Sequence, residues 1–418
     1  MLTKSPFKIN FFYCYIVVII LLFILASKTV FFGYLKPNKY FTLGLLFLMC
    51  IGLLMIKRIK ILRANISKML VLVSLMGTSI MWNSSSLDSM YINGALALLM
   101  ALIEGMILVV QCPKSKFIMY YINIITGISI ISLICFLILI FAPGLIQLLG
   151  ATEYRVDGSF SIIYSPLYTW GWWNTWSRNA SMWTEPGFFQ MFITFAILMI
   201  ISYSKQIRHA NIKLFVLIIT ILTTQSTVAY LILIIIIIMH KDYCKEIISK
   251  FRNRANSTIL MLVIGMTIVM IIAYLISSGV IQEKILTENS SKTFRTTDFL
   301  QSIYIIFNNN PLFGIGFGEK MVTIVESYGI INNSNGLLTM AYVWGIPFTL
   351  FYIYQYIKGT IVFFEIESRL KKMGMVLIIF IIFTTQVFWL YPFFLIFFFE
   401  WKEIKNDVYY LQKVIKNF

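Results

Sequence analysis

Long apolar runs recur along the whole chain, and most of them are 17 residues or longer. Each such run is long enough to cross roughly 30 Å of hydrocarbon. Of the 418 residues, 59% are hydrophobic and 12% are charged, with a mean hydropathy of +0.85. A soluble domain could not cover its surface with so little charge. A backbone in lipid must satisfy its polar groups internally, and helices do this within one segment. The expectation is an all-α fold: one integral membrane domain over 1–418, a polytopic transmembrane helical bundle of about 12 spans. The spans fall near 11–32, 40–56, 66–82, 90–110, 117–142, 186–203, 213–224, 227–239, 257–277, 334–356, 373–388 and 389–400. No small-residue cleavage site follows the first run, so it reads as a retained span.

The formal charge is +17, which raises the question of where the charge sits. With both termini cytoplasmic, 25 of the 34 Lys and Arg residues fall in inner segments. Stretches such as KRIKILR, KFRNR and RLKK are then orientation signals, and the bilayer is the partner they imply. No basic stretch interleaves with a soluble module, which argues against nucleic acid. Cys14, Cys50, Cys112, Cys135 and Cys244 lie in spans or inner loops, and none has metal-ligand spacing. His209 and His240 also map inside. Neither a disulfide nor a metal or other cofactor is expected.

Two spans are interrupted. Lys213–Thr224 and Thr227–Met239 flank TTQST, and Met373–Phe388 and Trp389–Glu400 flank FWLYP. Broken backbone at membrane depth needs cover from protein or water, so each pair reads as a hairpin of short helices. A kinked single helix would turn the basic loop after His240 to the outer side. Glu104 lies within the fourth span, where an ionisable group is costly.

Two long outer loops, about 143–185 and 278–333, carry most of the outer chemistry. The first holds Arg155, Arg178, Glu185 and five tryptophans, among them Trp176 and Trp183. Tryptophans here form either an interfacial belt or a stacking platform for sugar. Pro186 suits a helix start, so Glu185 is either a cap, paired with Arg178, or a carboxylate of the site. The second loop holds Lys292, Arg295 and an amphipathic helix over Phe299, Leu300, Ile303, Ile306 and Phe307. GIGFG (Gly314, Gly316, Gly318) lacks the Lys-Ser/Thr ending of a phosphate loop and reads as a glycine-rich turn. Arg155, Arg178 and Arg295 are the outer arginines, suited to a bidentate grip on phosphate.

The element from Arg178 through Glu185-Pro186-Gly187 resembles that of O-antigen and capsule polysaccharide polymerases. Arg295, then NNNPLFGIGFG and SNGLLTMAYVWGIP with Asn335, resemble the later element of the same superfamily, which includes O-antigen ligases. LTTQST resembles its broken short-helix pair. The resemblance implies a GT-C-like membrane glycosyltransferase of the bacterial cytoplasmic membrane, N-in and C-in, with its site on the outer face. It implies polymerisation of undecaprenyl-diphosphate-linked oligosaccharide repeat units, without cofactor, alongside a chain-length regulator protein. Glu185, Arg178 and Arg295 would then be catalytic, and Arg155, Lys292, Asn335, Trp176 and Trp183 would bind substrate. Ligases carry His-Asn where this chain has Ser334-Asn335, which favours a polymerase over a ligase. A flippase of lipid-linked sugars is the alternative from another class. An ordinary carboxylate is a weak base, so the base role for Glu185 calls for a desolvated setting.

Overall fold

The computed structural model describes residues 11–30, 39–56, 62–86, 88–156, 160–165, 167–172, 178–243, 245, 290–330 and 335–401. The side chains of 39–42, 56, 86, 154–156, 160–162, 172 and 290–295 are outside that description, as is the span expected at 257–277.

The chain is mostly helical. Its helices are α1 (Phe11–Leu25), α2 (Lys39–Ile56), α3 (Arg63–Trp82), α4 (Ser89–Gln111), α5 (Lys114–Phe141), α6 (Leu145–Leu148), α7 (Pro186–Ser202), α8 (Ala210–Thr223) and α9 (Thr227–Met239). They continue as α10 (Ser290–Asn308), α11 (Glu319–Ser327), α12 (Gly336–Trp344), α13 (Ile346–Phe363), α14 (Arg369–Thr385) and α15 (Pro392–Leu395). Among the described residues, α3, α4 and α5 are long and apolar enough to cross a membrane. Leu70, Met81, Ile134, Ile237, Leu350 and Phe380 lie exposed on outward faces, as lipid-facing side chains would.

α7 is the centre of the bundle. Every residue from Phe188 to Ile201 is buried, the mark of a helix enclosed on all sides. α5, α8 and α9 pack around it. So does the segment after α14, which corrects the sequence expectation. Trp389–Glu400 is not a helix: only Pro392–Leu395 is helical, and the rest runs through turns. Phe388, Trp389 and Phe393 to Phe399 are nonetheless fully buried. Other elements take up its backbone. Tyr352 donates to the Trp389 carbonyl (3.4 Å) and Lys68 to that of Phe398 (3.4 Å). Asn65 donates to the Glu400 carbonyl and accepts from its N–H, at 2.9 and 2.8 Å. Neighbouring helices approach it through glycine: a Cβ at Gly336 would strike the Gln386 carbonyl, and one at Gly359 the Phe397 carbonyl. Rings of Phe192, Phe195, Phe363 and Tyr352 fill the remaining space.

In the other pair the break is present and both short helices form. α8 ends at Thr223, α9 begins at Thr227, and Gln225 between them adopts φ +50°. The span expected at 334–356 is split at Gly345 (φ +91°), where Pro347 opens α13. GIGFG is a packing turn. The Gly314 and Val343 backbones meet too closely for any side chain at Gly314, and Gly316 lies against the Tyr91 ring. Asp88 accepts from the N–H groups of Tyr91 and Glu319, both at 2.6 Å, tying α4 to α11.

The fold is not all-α. Thr152–Val156, Phe160–Ser165 and Tyr168–Trp172 form a three-stranded antiparallel meander, β1-β2-β3. Aromatic and β-branched residues favour strands, and turn residues separate these ones. Tyr168 and Trp170 bury themselves against Phe136, Leu139 and Ile146. α10 forms, and its expected apolar face is divided: Ile306 is buried in the core and Ile303 is partly buried, whereas Phe299, Leu300 and Phe307 are exposed, and Asp298 and Ser302 are buried in their place. Glu104 is fully buried, with neither carboxyl oxygen hydrogen-bonded among the described residues.

Replacing Gly359 with Val should destabilise the protein by about 1–3 kcal/mol through this backbone clash. Gly127→Ala, where a Cβ meets open space, should not. Thermal unfolding in detergent micelles checks both. An unchanged midpoint for Gly359→Val would contradict the buried-segment packing.

Candidate functional site

The chain between β3 and α7 gathers polar side chains at one end of the bundle. Asn179 is its anchor and is fully buried. Its Oδ1 accepts from the Ser132 hydroxyl (2.7 Å) and the Ser181 N–H (3.0 Å), and its Nδ2 donates to the Thr223 hydroxyl (2.9 Å). Its own N–H donates to the Thr223 carbonyl (3.0 Å). The helix break therefore docks on the residue after Arg178. The Arg178 Nε donates to the Thr224 carbonyl at 3.3 Å, at the C-terminal end of α8, where a cation meets the negative end of the helix dipole.

Glu185 precedes α7 but does not cap it: its side chain accepts no hydrogen bond from the helix backbone. The cation beside it is Lys28, not Arg178 as the cap reading expected. The Lys28 Nζ lies 2.7 Å from the Glu185 carboxylate, and the two side chains are 35% and 36% exposed. Gln386, at the start of the buried aromatic segment, lies 3.5 Å from the other carboxylate oxygen. The Lys28 ammonium also lies 4.8 Å above the Phe188 ring. The carboxylate is thus paired and half-exposed, not in the desolvated setting that a lone base would need.

Backbone geometry fixes this pair. Val30 donates to the Met182 carbonyl (2.8 Å) and Thr184 to that of Lys28 (3.2 Å), with a bridge between Thr29 and Trp183. β3 joins the same strip, since Thr169 donates to the Ser181 carbonyl (2.6 Å). Lys28 (φ +57°) and Ser181 (φ +51°) are both left-handed, a conformation costing a non-glycine residue roughly 1–2 kcal/mol. A half-exposed ion pair returns only about 0.2–1 kcal/mol.

The other expected residues are placed as follows. Trp183 is fully buried and stacks on Phe189 at 4.9 Å, so it is a core residue and not a sugar platform. Trp176 lies outside the described residues. Asn335 is the N-cap of α12, its Oδ1 accepting from the Leu338 N–H at 3.1 Å, which makes it a structural residue. Arg155 stands on edge strand β1, paired with Ser161. That is two strands from β3, roughly 10 Å. Lys292 and Arg295 lie in the first part of α10, with side chains outside the description. Lys28 and Gln386 were not singled out from sequence. Each sits at the end of an apolar run, where a single polar residue gives no motif.

The sequence matches no protein-family model, and no curated protein matches it. Among the described residues no group of His, Cys, Asp and Glu could hold a metal ion.

Asn179→Ala should cost about 1–3 kcal/mol, because it leaves the buried partners Ser132 and Thr223 short of a contact. Ser132→Ala, which removes one contact, should cost less. Thermal midpoints of the two purified variants test this. Equal, small losses would show that Asn179 does not anchor the strip.

Proposed function

We propose that the chain is an integral membrane glycosyltransferase, a polysaccharide polymerase. It joins undecaprenyl-diphosphate-linked oligosaccharide repeat units at the outer face of the bacterial cytoplasmic membrane. The observation that carries this reading is the single strip from Arg178 to Glu185. It presents a cation and a carboxylate at one end of an apolar helical bundle. A lipid-linked diphosphate meets such a site with its tail in the bilayer and its glycan in water. The motif resemblance names the reaction. The charge partition favours twelve crossings, N-in and C-in, and the resemblance implies a GT-C-like arrangement of them. Lys68, Lys114 and Lys371 belong to the opposite, basic end.

In this mechanism Arg178 and Arg295, with Arg155 and Lys292 guiding the donor, neutralise the diphosphate as charge develops on it. Glu185, half-exposed and paired in the free protein, accepts the proton of the acceptor hydroxyl once bound substrate covers it from water. That oxygen forms the new glycosidic bond to the anomeric carbon while the carbon–phosphate oxygen bond breaks, its electron pair leaving with the diphosphate. The absence of histidine on the outer side separates this reading from a ligase. A chain-length regulator is the protein partner that the resemblance implies.

The test is chain growth from isolated lipid-linked repeat units by the purified protein in nanodiscs. Glu185→Gln should slow growth by on the order of 100-fold. Arg178→Lys should slow it roughly tenfold or more, because a point charge replaces a bidentate fork. Wild-type rates for Glu185→Gln would remove Glu185 as the base.

A further inference from the structure

We infer that Lys28 is a transferable cation. It pairs with Glu185 until the diphosphate of a lipid-linked substrate takes it over, and this exchange frees the carboxylate to act. The inference rests on the proposed reaction and adds to it a binding group and an order of events.

Three observations carry it. First, the Lys28 backbone is fixed by the strip at Val30–Met182 and Thr184, so its position is built in and only the side chain is left to move. Second, the ammonium has two neighbours of different kinds, the Glu185 carboxylate at 2.7 Å and the face of Phe188 at 4.8 Å. The ring face attracts a cation weakly, so it holds the ammonium near the site when the carboxylate lets go. Third, about a third of each charged side chain is open to solvent, so an incoming anion can reach the pair without unfolding anything. Lysine suits the task better than arginine, being a compact charge on a flexible stem with no planar fork to break. Gln386 remains on the other carboxylate oxygen and keeps the group oriented after the exchange.

The chemistry balances with the exchange included. A diphosphate carries more negative charge than one carboxylate and draws Lys28 away from it. The Glu185 oxygen that Lys28 occupied is then open to the acceptor hydroxyl and takes its proton. The negative charge left on the departing diphosphate is met by the ammonium that Glu185 released. Substrate arrival thereby uncovers the carboxylate for the acceptor hydroxyl.

The experiment measures binding of undecaprenyl diphosphate to the full chain in nanodiscs, for wild type, Glu185→Gln, Lys28→Met and the double variant, with Lys28→Arg as a charge-retaining control. Removing the competing carboxylate should tighten binding about two- to fivefold in Glu185→Gln. Lys28→Met should weaken it roughly tenfold, and Lys28→Arg should restore part of that loss. The decisive comparison is the double variant, in which the gain from Glu185→Gln should vanish. If Glu185→Gln leaves binding unchanged, or its gain persists without Lys28, the exchange is refuted while the polymerase reading stands. If wild type itself fails to bind undecaprenyl diphosphate, the functional reading falls and the inference falls with it. The Glu185→Gln arm keeps Lys28 native, so a folding defect in Lys28→Met cannot hide a negative result.

Discussion

A stretch of chain without regular hydrogen bonding cannot face hydrocarbon, and Gln386–Trp401 is such a stretch. The rest of the bundle is arranged to enclose it. Side chains from α3 and α13 take up its carbonyls, glycines on α4, α12 and α13 let it come close, and the aromatic face of α7 covers it. A regular helix would have satisfied its own backbone and needed none of this. The consequence at the site is direct. The segment begins at Gln386, and its enclosure brings that amide to Glu185. α7 is held along its length, so the carboxylate before its first turn has a fixed base.

The second constraint is the strip that joins β3, residues 181–184 and residues 28–30. It links the end of the first helix to the start of the central one, across more than 150 residues of chain. Left-handed Lys28 and Ser181 mark its two turns. Arg178 and Glu185 lie on either side of this strip and have different partners, the end of α8 for one and Lys28 for the other. The two residues that stood out in the sequence therefore flank one strip without sharing an ion pair. That separation suits a site in which one charge grips an anion and the other handles a proton.

Much of the fold was legible because apolar length and interruption are one-dimensional signals. α9 begins and ends at the residues expected from the run after TTQST, and the break itself is real. GIGFG was legible as a turn, since it lacked the residues a phosphate loop requires. The meander was not, because its short strands lie in a loop read only for charge and tryptophan. Trp183 misled for the same reason: density along the sequence does not tell which face a ring takes, and this one fills the core against Phe189. Trp389–Glu400 was read as a helix because its apolar length is right. Its irregular path depends on glycines and donors on other helices, some of them, such as Asn65 and Gly105, hundreds of residues away. Lys28 was invisible as a site residue, since a lysine at the end of a span is the commonest thing a membrane protein shows.

The central claim is that this end of the bundle joins lipid-linked repeat units. The most direct measurement is the size profile of surface and lipid-linked glycan from cells lacking the gene, resolved on a gel beside the complemented strain. The account predicts that the ladder disappears and single repeat units accumulate on the outer side. A full-length polymer stranded on its carrier would instead indicate a ligase, and repeat units trapped on the inner leaflet a flippase. Either would contradict the mechanism built on Arg178, Glu185 and Lys28.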